Sequence, residues 1–505
     1  MNIFKKLTPS QSLVKQALRG HAWMGLFWAA LLYLICFSGA LVVFFPEMER
    51  WEQPLADEYS HMDAGAIEQS LVNIQQQIPH KLESLYFIYP SEDMPRSHVS
   101  AVLEDKTQTI DTEWWLDSSG QLVEPVSAPW TEMITDLHIY LHLPHTLGII
   151  IVGMLGAMMC GLMISGLLAH PNLFKDAFKL RLGSNRHMEQ TDIHNRLSVW
   201  GLPFFFVVSL TGAYIGLFGV SMTVVDWMEK DHDSKQIIAE VFGGDPAINE
   251  PVQNINMTQI KQDLLERAPE ASPIYLVVQK PGSEEQYVEV AASLPQRLIY
   301  SEIYRYHSDG TFIDYQHLSD GSVGRQVAYS SYRVHFGHFG GMATKILYLL
   351  LGLVMTVITA TGVNMWFSKR KIHNHWSVLW RAFVWATPAA TALAAAFSMV
   401  LSLSAVVVFW FALVVLSLGI FAFFNQSWKW KGVAEQNYLM GLKYLTTITV
   451  VFLVFCHGFK HPHQPWYWWF SLCMILLSAM PLFEYRKLIQ TAPKTAKFKS
   501  PISVN

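Results

Sequence analysis

Two stretches of the same length decide the architecture: HAWMGLFWAALLYLICFSG at residues 21–39 and HNRLSVWGLPFFFVVSLTG at residues 194–212. Each begins with a histidine and ends in a hydroxyl residue followed by a glycine, with 18 residues from the histidine to the glycine. Two further stretches also match each other: Leu137-His138 precedes an apolar run ending Ser165-Gly166, and Val334-His335 precedes one ending Thr361-Gly362. The pattern predicts an internal repeat in which helix, polar domain and helix occur twice.

Composition places the chain in a membrane. Of its 505 residues 51% are hydrophobic and only 15% are charged, and the mean hydropathy is +0.23. Apolar runs of 18 or more residues are long enough to cross a bilayer. Eight spans are predicted, with residues 382–424 divided near Ser402 because a single helix of that length would exceed the bilayer. The predicted spans are 23–46, 146–168, 199–220, 346–367, 380–401, 404–424, 440–457 and 466–483. The first run lacks a cleavage site, so it is expected to remain as a permanent span.

The charges predict the orientation. If the amino terminus is cytoplasmic, the inside segments carry 20 Lys and Arg against 4 Asp and Glu. The outside segments 47–137 and 221–334 carry 4 bases against 18 acids and 9 bases against 17 acids. By the positive-inside rule both termini are expected in the cytoplasm, and both large domains in the periplasm of a bacterial inner membrane.

The predicted fold is therefore a polytopic α-helical membrane protein with two small α+β domains. Each domain shows one helical stretch, at 64–78 or 257–268, and each ends in a polar-glycine hairpin signal. The predicted segments are span 1 at 1–46, the first domain at 47–137, spans 2 and 3 with a cytoplasmic loop at 138–220, the second domain at 221–334, span 4 at 335–375 and a four-span bundle at 376–505.

Histidines carry the predicted chemistry. The repeat makes His21 equivalent to His194 at one membrane face, and His138 equivalent to His335 at the other. A pseudo-two-fold axis along the membrane normal would bring each pair face to face, which is the arrangement that a bis-histidine b-type haem requires. Two haems are therefore expected, one near each face. The alternative interpretation is that each histidine is an interfacial polar residue, although ionisable groups at membrane depth are usually functional.

Several neighbouring histidines are weaker candidates for a ligand or for a partner of a haem carboxylate. His142 and His145 follow His138 at helical spacing on one predicted face, and His338 follows His335 by about one turn. His170 ends span two and is the expected substitute at the cytoplasmic site. A further group, His457, His461 and His463, is interpreted as an exposed polar loop rather than a metal site.

Other chemistries lack sequence support. The four cysteines fall in or beside apolar runs and form no Cys-x-x-Cys pair, so covalent c-type haem attachment and a thiolate metal site lack sequence support. Glycine-rich nucleotide loops and a His-Glu-x-x-His motif are also missing from the sequence. An electron donor would then be a quinol or a separate cytoplasmic reductase.

These residues resemble the PepSY-associated transmembrane family. The likeness rests on Leu137-His138, the run from Ser165 to His170, Asp192-Ile-His194-Asn195, and His335-Phe336-Gly337 with Gly340-Gly341, and it covers about residues 1–375. The resemblance implies PepSY domains outside the membrane and haem b at recurrent positions, here His21, His138, His170, His194 and His335. It also implies reduction of ferric siderophores in the periplasm. Spans five to eight and Val334 depart from the family pattern, which leaves the substrate open.

The first functional hypothesis is accordingly a haem b reductase that passes electrons across the membrane to a ferric siderophore or another Fe(III) chelate. Because the outside segments are acidic, a neutral or cationic chelate is the expected acceptor. Two other interpretations stay open: a membrane-anchored regulatory protein acting on a periplasmic peptidase or ligand, and an iron or haem permease.

Overall fold

A computed structural model describes residues 9–78, 80–104, 112–170, 173, 186–228, 244–424, 431–461 and 465–490. The chain forms two compact units, Met1–Lys371 and Ile372–Asn505. The division falls just after the end of the predicted repeat, so the first unit contains both copies and the second contains the added spans.

The first unit contains the helices of an apolar bundle and of the polar domain. They are α1 (Gln11–Phe27), α2 (Ala29–Val42), α3 (Phe45–Glu52), α4 (Ala64–Gln77), α5 (Pro129–Tyr140), α6 (His145–Ala169), α7 (Arg186–Trp200), α8 (Leu202–Met228), α9 (Met257–Arg267), α10 (Val323–Phe336) and α11 (Gly341–Lys369). The strands are β1 (Leu82–Ile88), β2 (His98–Leu103), β3 (Glu113–Leu116), β4 (Leu122–Pro125), β5 (Ser272–Gln279), β6 (Tyr287–Ser293), β7 (Glu302–Tyr306) and β8 (Phe312–Tyr315).

Six helices of the described residues are long and apolar enough to cross a membrane, and α1 with α2 makes a seventh candidate that is bent by 70°. The eighth predicted span, at 466–483, falls on a shorter apolar helix, Tyr467–Leu482. The count of eight therefore stays a prediction. The bend follows Trp28, seven residues after His21, and Gly201 separates α7 from α8 seven residues after His194.

The packing of the first unit follows the repeat. Helix α1 packs on α6 as α7 packs on α11, and α2 packs on α5 as α8 packs on α10. The copies are also interlocked, since α6 packs along α8 and α11 packs along α2. Glycines allow this close approach: a Cβ at Gly153 would lie 2.8 Å from the Gly216 backbone, and one at Gly352 would lie 2.8 Å from the Ala40 Cβ. This pseudo-two-fold arrangement is the one that the repeat predicts.

The two polar domains share one sheet. Its eight antiparallel strands run in the order β4-β3-β2-β1-β5-β6-β7-β8, and β1 joins the copies by pairing with β5 from Ser84 opposite Gln279 to Ile88 opposite Tyr275. The expected helices and hairpins are present, but the expectation of two separate domains needs correction. Pairing β1 with β5 satisfies backbone groups that two isolated sheets would leave exposed at their edges.

One apolar core lies under this sheet. Side chains of α4 and α9, including Ile74 and Ile260, pack with alternate residues of the central strands, such as Leu85 and Leu276. The strands then continue through α5 and α10 into the spans α6 and α11. The two helices that carry His138 and His335 therefore lead from the sheet domain into the bundle.

The second unit consists of α12 (His375–Leu401), α13 (Ala405–Phe424), α14 (Lys431–Lys460) and α15 (Pro465–Gln490). Ser402 caps α12 in a left-handed conformation with φ of 54°, so the predicted division near this residue is confirmed. Alanines on α12, including Ala386, Ala390 and Ala394, are fully buried. Small side chains of this kind let neighbouring helices pack closely.

Candidate functional site

The four repeat-related histidines form two pairs. The ring centres of His21 and His194 lie 6.4 Å apart with planes at 83°. The ring centres of His138 and His335 lie 6.2 Å apart with planes at 23°. We call His138 and His335 the sheet-side pair, because their helices lead from the sheet, and His21 and His194 the far-side pair.

Each imidazole is held through Nδ1 by a neighbouring span. In three cases the Nδ1–H donates to a backbone carbonyl, which can only accept, so the proton must reside on Nδ1. The acceptors are Leu162 for His21 at 2.9 Å, Ile35 for His138 at 3.1 Å and Ile358 for His194 at 3.0 Å. This tautomer leaves Nε2 with a lone pair, the form in which histidine binds a metal.

His335 is held by the same kind of contact. Its Nδ1 lies 3.0 Å from the Thr211 hydroxyl oxygen, and its ring is also hydrogen-bonded to the Val208 backbone. The Thr211 hydroxyl donates to the Val207 carbonyl at 2.8 Å, so its oxygen accepts from the imidazole. All four histidines therefore have their rings fixed by a partner on another helix.

A glycine lies against every one of these rings. It always follows the carbonyl residue by four positions and is the glycine of the repeated hydroxyl-glycine pair. A Cβ added there would meet the imidazole Cε1 at 3.3 Å for Gly166 and His21, 2.5 Å for Gly39 and His138, 3.2 Å for Gly362 and His194, and 3.0 Å for Gly212 and His335. Each copy of the repeat thus supplies both the histidine and the glycine that leaves room for its ring.

The far-side pair lines a cavity of about 650 Å³. His170, the C-cap of α6, lines the same cavity, so the structure brings it together with His21 and His194. Most of the other lining side chains are apolar, including Leu32, Met159 and Phe205. The cavity therefore combines an apolar interior with two fixed imidazoles.

The two pairs lie at different levels of the bundle. Gly39, which contacts His138, is followed by Ala40, which contacts Gly352 of α11. Further along α11, Gly362 contacts His194. The ten residues from Gly352 to Gly362 correspond to about 15 Å at about 1.5 Å per helical residue.

The sequence profile of the family described as the PepSY-associated TM region matches residues 18–369, about 70% of the chain. The chain belongs to this family. The match spans all four paired histidines as well as His170.

A curated relative adds no function. An uncharacterized protein of Pseudomonas aeruginosa is 22% identical over 257 residues, which is 48% of this chain and 64% of the relative. The chain thus matches less than two thirds of the relative's length. The second unit, residues 372–505, lies beyond the family match.

Two of the weaker sequence candidates are placed differently from expectation in this family member. His138, His142 and His145 do not share one helix face, because Leu141 ends α5 in a left-handed conformation and α6 begins only at His145. His142 Nε2 lies 2.8 Å from the Met133 carbonyl, and the His145 ring is 5.5 Å from that of Tyr140. The expectation of one shared face was wrong because Leu141, although not a glycine, adopts a φ of 57°.

The other weaker candidates have ring partners of their own. His338 follows the left-handed Gly337 and its ring stacks 5.7 Å from that of Phe336. His457 is buried and packs against His461 at 5.1 Å, which differs from the expected exposed loop, while His463 lies outside the described residues. Among the described residues no group of three or more His, Cys, Asp or Glu has the placement of a metal site.

Sequence reasoning did not predict the ring-to-glycine contacts or the shared carbonyl partners. The signal was present, since Ser38-Gly39, Ser165-Gly166, Thr211-Gly212 and Thr361-Gly362 recur at fixed places in the repeat. These four glycines make room for the imidazoles.

Proposed function

We propose that this protein is a transmembrane haem b oxidoreductase that carries electrons across the bacterial inner membrane to a periplasmic Fe(III) chelate such as a ferric siderophore. Two haems are assigned, one to each histidine pair. The electron donor would be a quinol or a separate cytoplasmic reductase. Within this proposal the sheet domain corresponds to the PepSY domains of the family and faces the periplasm.

The spacing of the imidazoles carries the proposal. An iron bound between two imidazoles at about 2 Å from each Nε2, with about 1 Å from Nε2 to each ring centre, separates the ring centres by about 6 Å. The observed separations are 6.4 and 6.2 Å. Two independent pairs therefore fit the same ligand geometry.

The number of protein ligands supports a macrocycle rather than a bare ion. Structural zinc takes four protein ligands and catalytic zinc takes three. Each pair here offers two imidazoles, and among the described residues no third His, Cys, Asp or Glu joins either pair in the placement of a metal site. Haem supplies four ring nitrogens of its own and, when bound, one-electron chemistry at its iron.

The protein orients the histidine rings and surrounds the far-side pair with apolar side chains. Backbone carbonyls of the spans keep Nδ1 protonated and fix each ring plane, so both Nε2 lone pairs are available without a change of tautomer. The mostly apolar lining of the far-side cavity surrounds its pair with a medium of low polarity. The sheet-side pair alone lies next to the helices that lead to the polar domain, which favours it as the side of the external acceptor.

The proposed reduction would release iron from the chelate. Hard oxygen ligands of a siderophore hold Fe(III) strongly and the softer Fe(II) poorly, so a one-electron reduction of the chelate frees the metal. The acceptor gains one electron and the protein loses one. No proton transfer is required for this step.

A stopped-flow experiment tests the acceptor. Dithionite-reduced protein in detergent is mixed at low salt with ferric chelates of positive, zero and negative charge, and haem reoxidation is followed. The acidic outside segments predict faster reoxidation by neutral and cationic chelates. Faster reoxidation by strongly anionic chelates, or an unchanged rate in His335→Ala, would overturn this assignment.

A further inference from the structure

The far-side cavity has a cationic mouth. Lys15 and Arg19 project from α1, Lys369 and Arg370 project from the end of α11, and all four line the same cavity as His21 and His194. All four are exposed, so their charged groups lie where the cavity opens. We call these four residues the cationic mouth.

The ionisable side chains that line this cavity, among the described residues, are all basic. Among its described lining residues there are four Lys and Arg and three His, but no Asp or Glu. The salt bridges formed by the described residues do not include any member of the cationic mouth. Arg370 rests with its guanidinium 4.3 Å from the centre of the Trp366 ring, and its Nη1 donates to the Trp366 carbonyl at 3.5 Å.

The cationic mouth does not follow the repeat. Positions equivalent to Lys15 and Arg19 in the second copy are Met188 and Asp192, and those equivalent to Lys369 and Arg370 in the first copy are Leu173 and Phe174. The histidines, carbonyls and glycines follow the pseudo-two-fold axis, whereas the cations among the described lining residues come from α1 and the end of α11. A two-fold pocket with charge on one side fits a ligand that has one anionic edge.

We propose that the cationic mouth binds the two carboxylates of the far-side haem and so fixes which edge of the macrocycle faces the cytoplasmic end of α1 and α11. The choice of ligand rests on the proposed function. The apolar lining suits the flat body of such a ligand, and Arg with Lys suits its two carboxylates. Arg19 and Arg370 hold the carboxylates, and Lys15 and Lys369 add positive potential at the opening.

The test compares haem b with its neutral dimethyl ester. The full-length chain is made under haem limitation in the His335→Ala background, so that only the far-side pair is intact, and each ligand is titrated in detergent. A charge-assisted hydrogen bond contributes about 1.5–3 kcal/mol, so the parent should bind haem at least about tenfold more tightly than the ester. In Arg19→Gln/Arg370→Gln this preference should disappear because haem binds more weakly while the ester binds unchanged.

Lys371→Gln is the matched control, since Lys371 is the next residue after Arg370 but does not line the cavity. It should keep the parental preference. If haem still binds and the double variant keeps the preference, the inference is wrong and the proposed function stands. If salt-sensitive reduction by a donor changes without any change in preference, the mouth serves an acidic donor protein and the inference is again wrong. If neither ligand gives a bis-histidine spectrum in the parent, the proposed function fails as well.

Discussion

His138 and His335 stack with their ring centres 6.2 Å apart, although they come from different copies of the repeat. Helices α5 and α10 each place one of these histidines close before a left-handed residue, Leu141 or Gly337, that ends the helix. The pair is thus set by helix ends that the repeat duplicates. His21 and His194 are placed by a duplicated helix break instead, because each lies seven residues before the break at Trp28 or Gly201.

Replacing one histidine should remove one haem. His194→Ala is expected to lower the haem content from two per chain to one, since the sheet-side pair keeps both ligands. The remaining haem should have nearly parallel imidazole planes, whereas His335→Ala should leave a haem with nearly perpendicular planes. Haem-to-protein ratios and low-spin ferric electron paramagnetic resonance spectra check both variants. Loss of both haems in either variant would show that the sites do not form independently.

Gly39→Ala tests the space left for an imidazole. The new Cβ would lie 2.5 Å from His138 Cε1 and 2.9 Å from Nδ1, so the ring must move and its bond to Ile35 must lengthen. Overpacking of this kind costs about 1–3 kcal/mol, which predicts weaker binding of the sheet-side haem only. Gly20→Ala is the control, because a Cβ there meets no atom within 4 Å. Equal haem contents in the two variants would refute the role assigned to Gly39.

A buried ion pair ties α3 to the beginning of α11. Lys345, at 1% exposure, lies 2.6 Å from the Glu47 carboxylate and 3.1 Å from that of Asp93. Lys345→Met should destabilise the fold by about 3–5 kcal/mol because it leaves Glu47 buried without its cation. Glu47→Leu/Lys345→Met should restore most of the loss. Thermal unfolding midpoints in detergent measure all three proteins, and a double variant no better than Lys345→Met would contradict this account.

The stability of the sheet domain is expected to depend on pH through the carboxyl of Glu49. Burial, with repulsion from Glu113, raises the pKa of the Glu49 carboxyl from 4.5 to about 8. The folded state therefore holds this proton more tightly than the unfolded state, and its stabilising effect is complete below pH 4.5 and is lost as the pH rises to about 8. Glu49→Gln should flatten the fall in unfolding temperature over that window, whereas Glu270→Gln, at an exposed site, should not. An unchanged slope in Glu49→Gln would mean that this carboxyl does not control the dependence.

The sequence predicted the repeat, the histidine pairing and the division at Ser402 because each depends on a spacing that survives in one dimension. It could not predict that β1 pairs with β5. Each hairpin is a local signal, but the choice of partner for β1 depends on which edge the other copy presents. The break at Leu141 was also hidden, since leucine rarely adopts positive φ and a helical pattern through His142 and His145 was the simpler expectation.

The central claim is that each histidine pair holds one haem b. Reduced-minus-oxidised absorbance spectra of the full-length protein, purified from haem-replete cells and paired with a haem assay, test it most directly. We expect two haems per chain, each with the α band of a bis-histidine b-type centre and each reducible by dithionite. A well-folded preparation without haem bands would contradict the account.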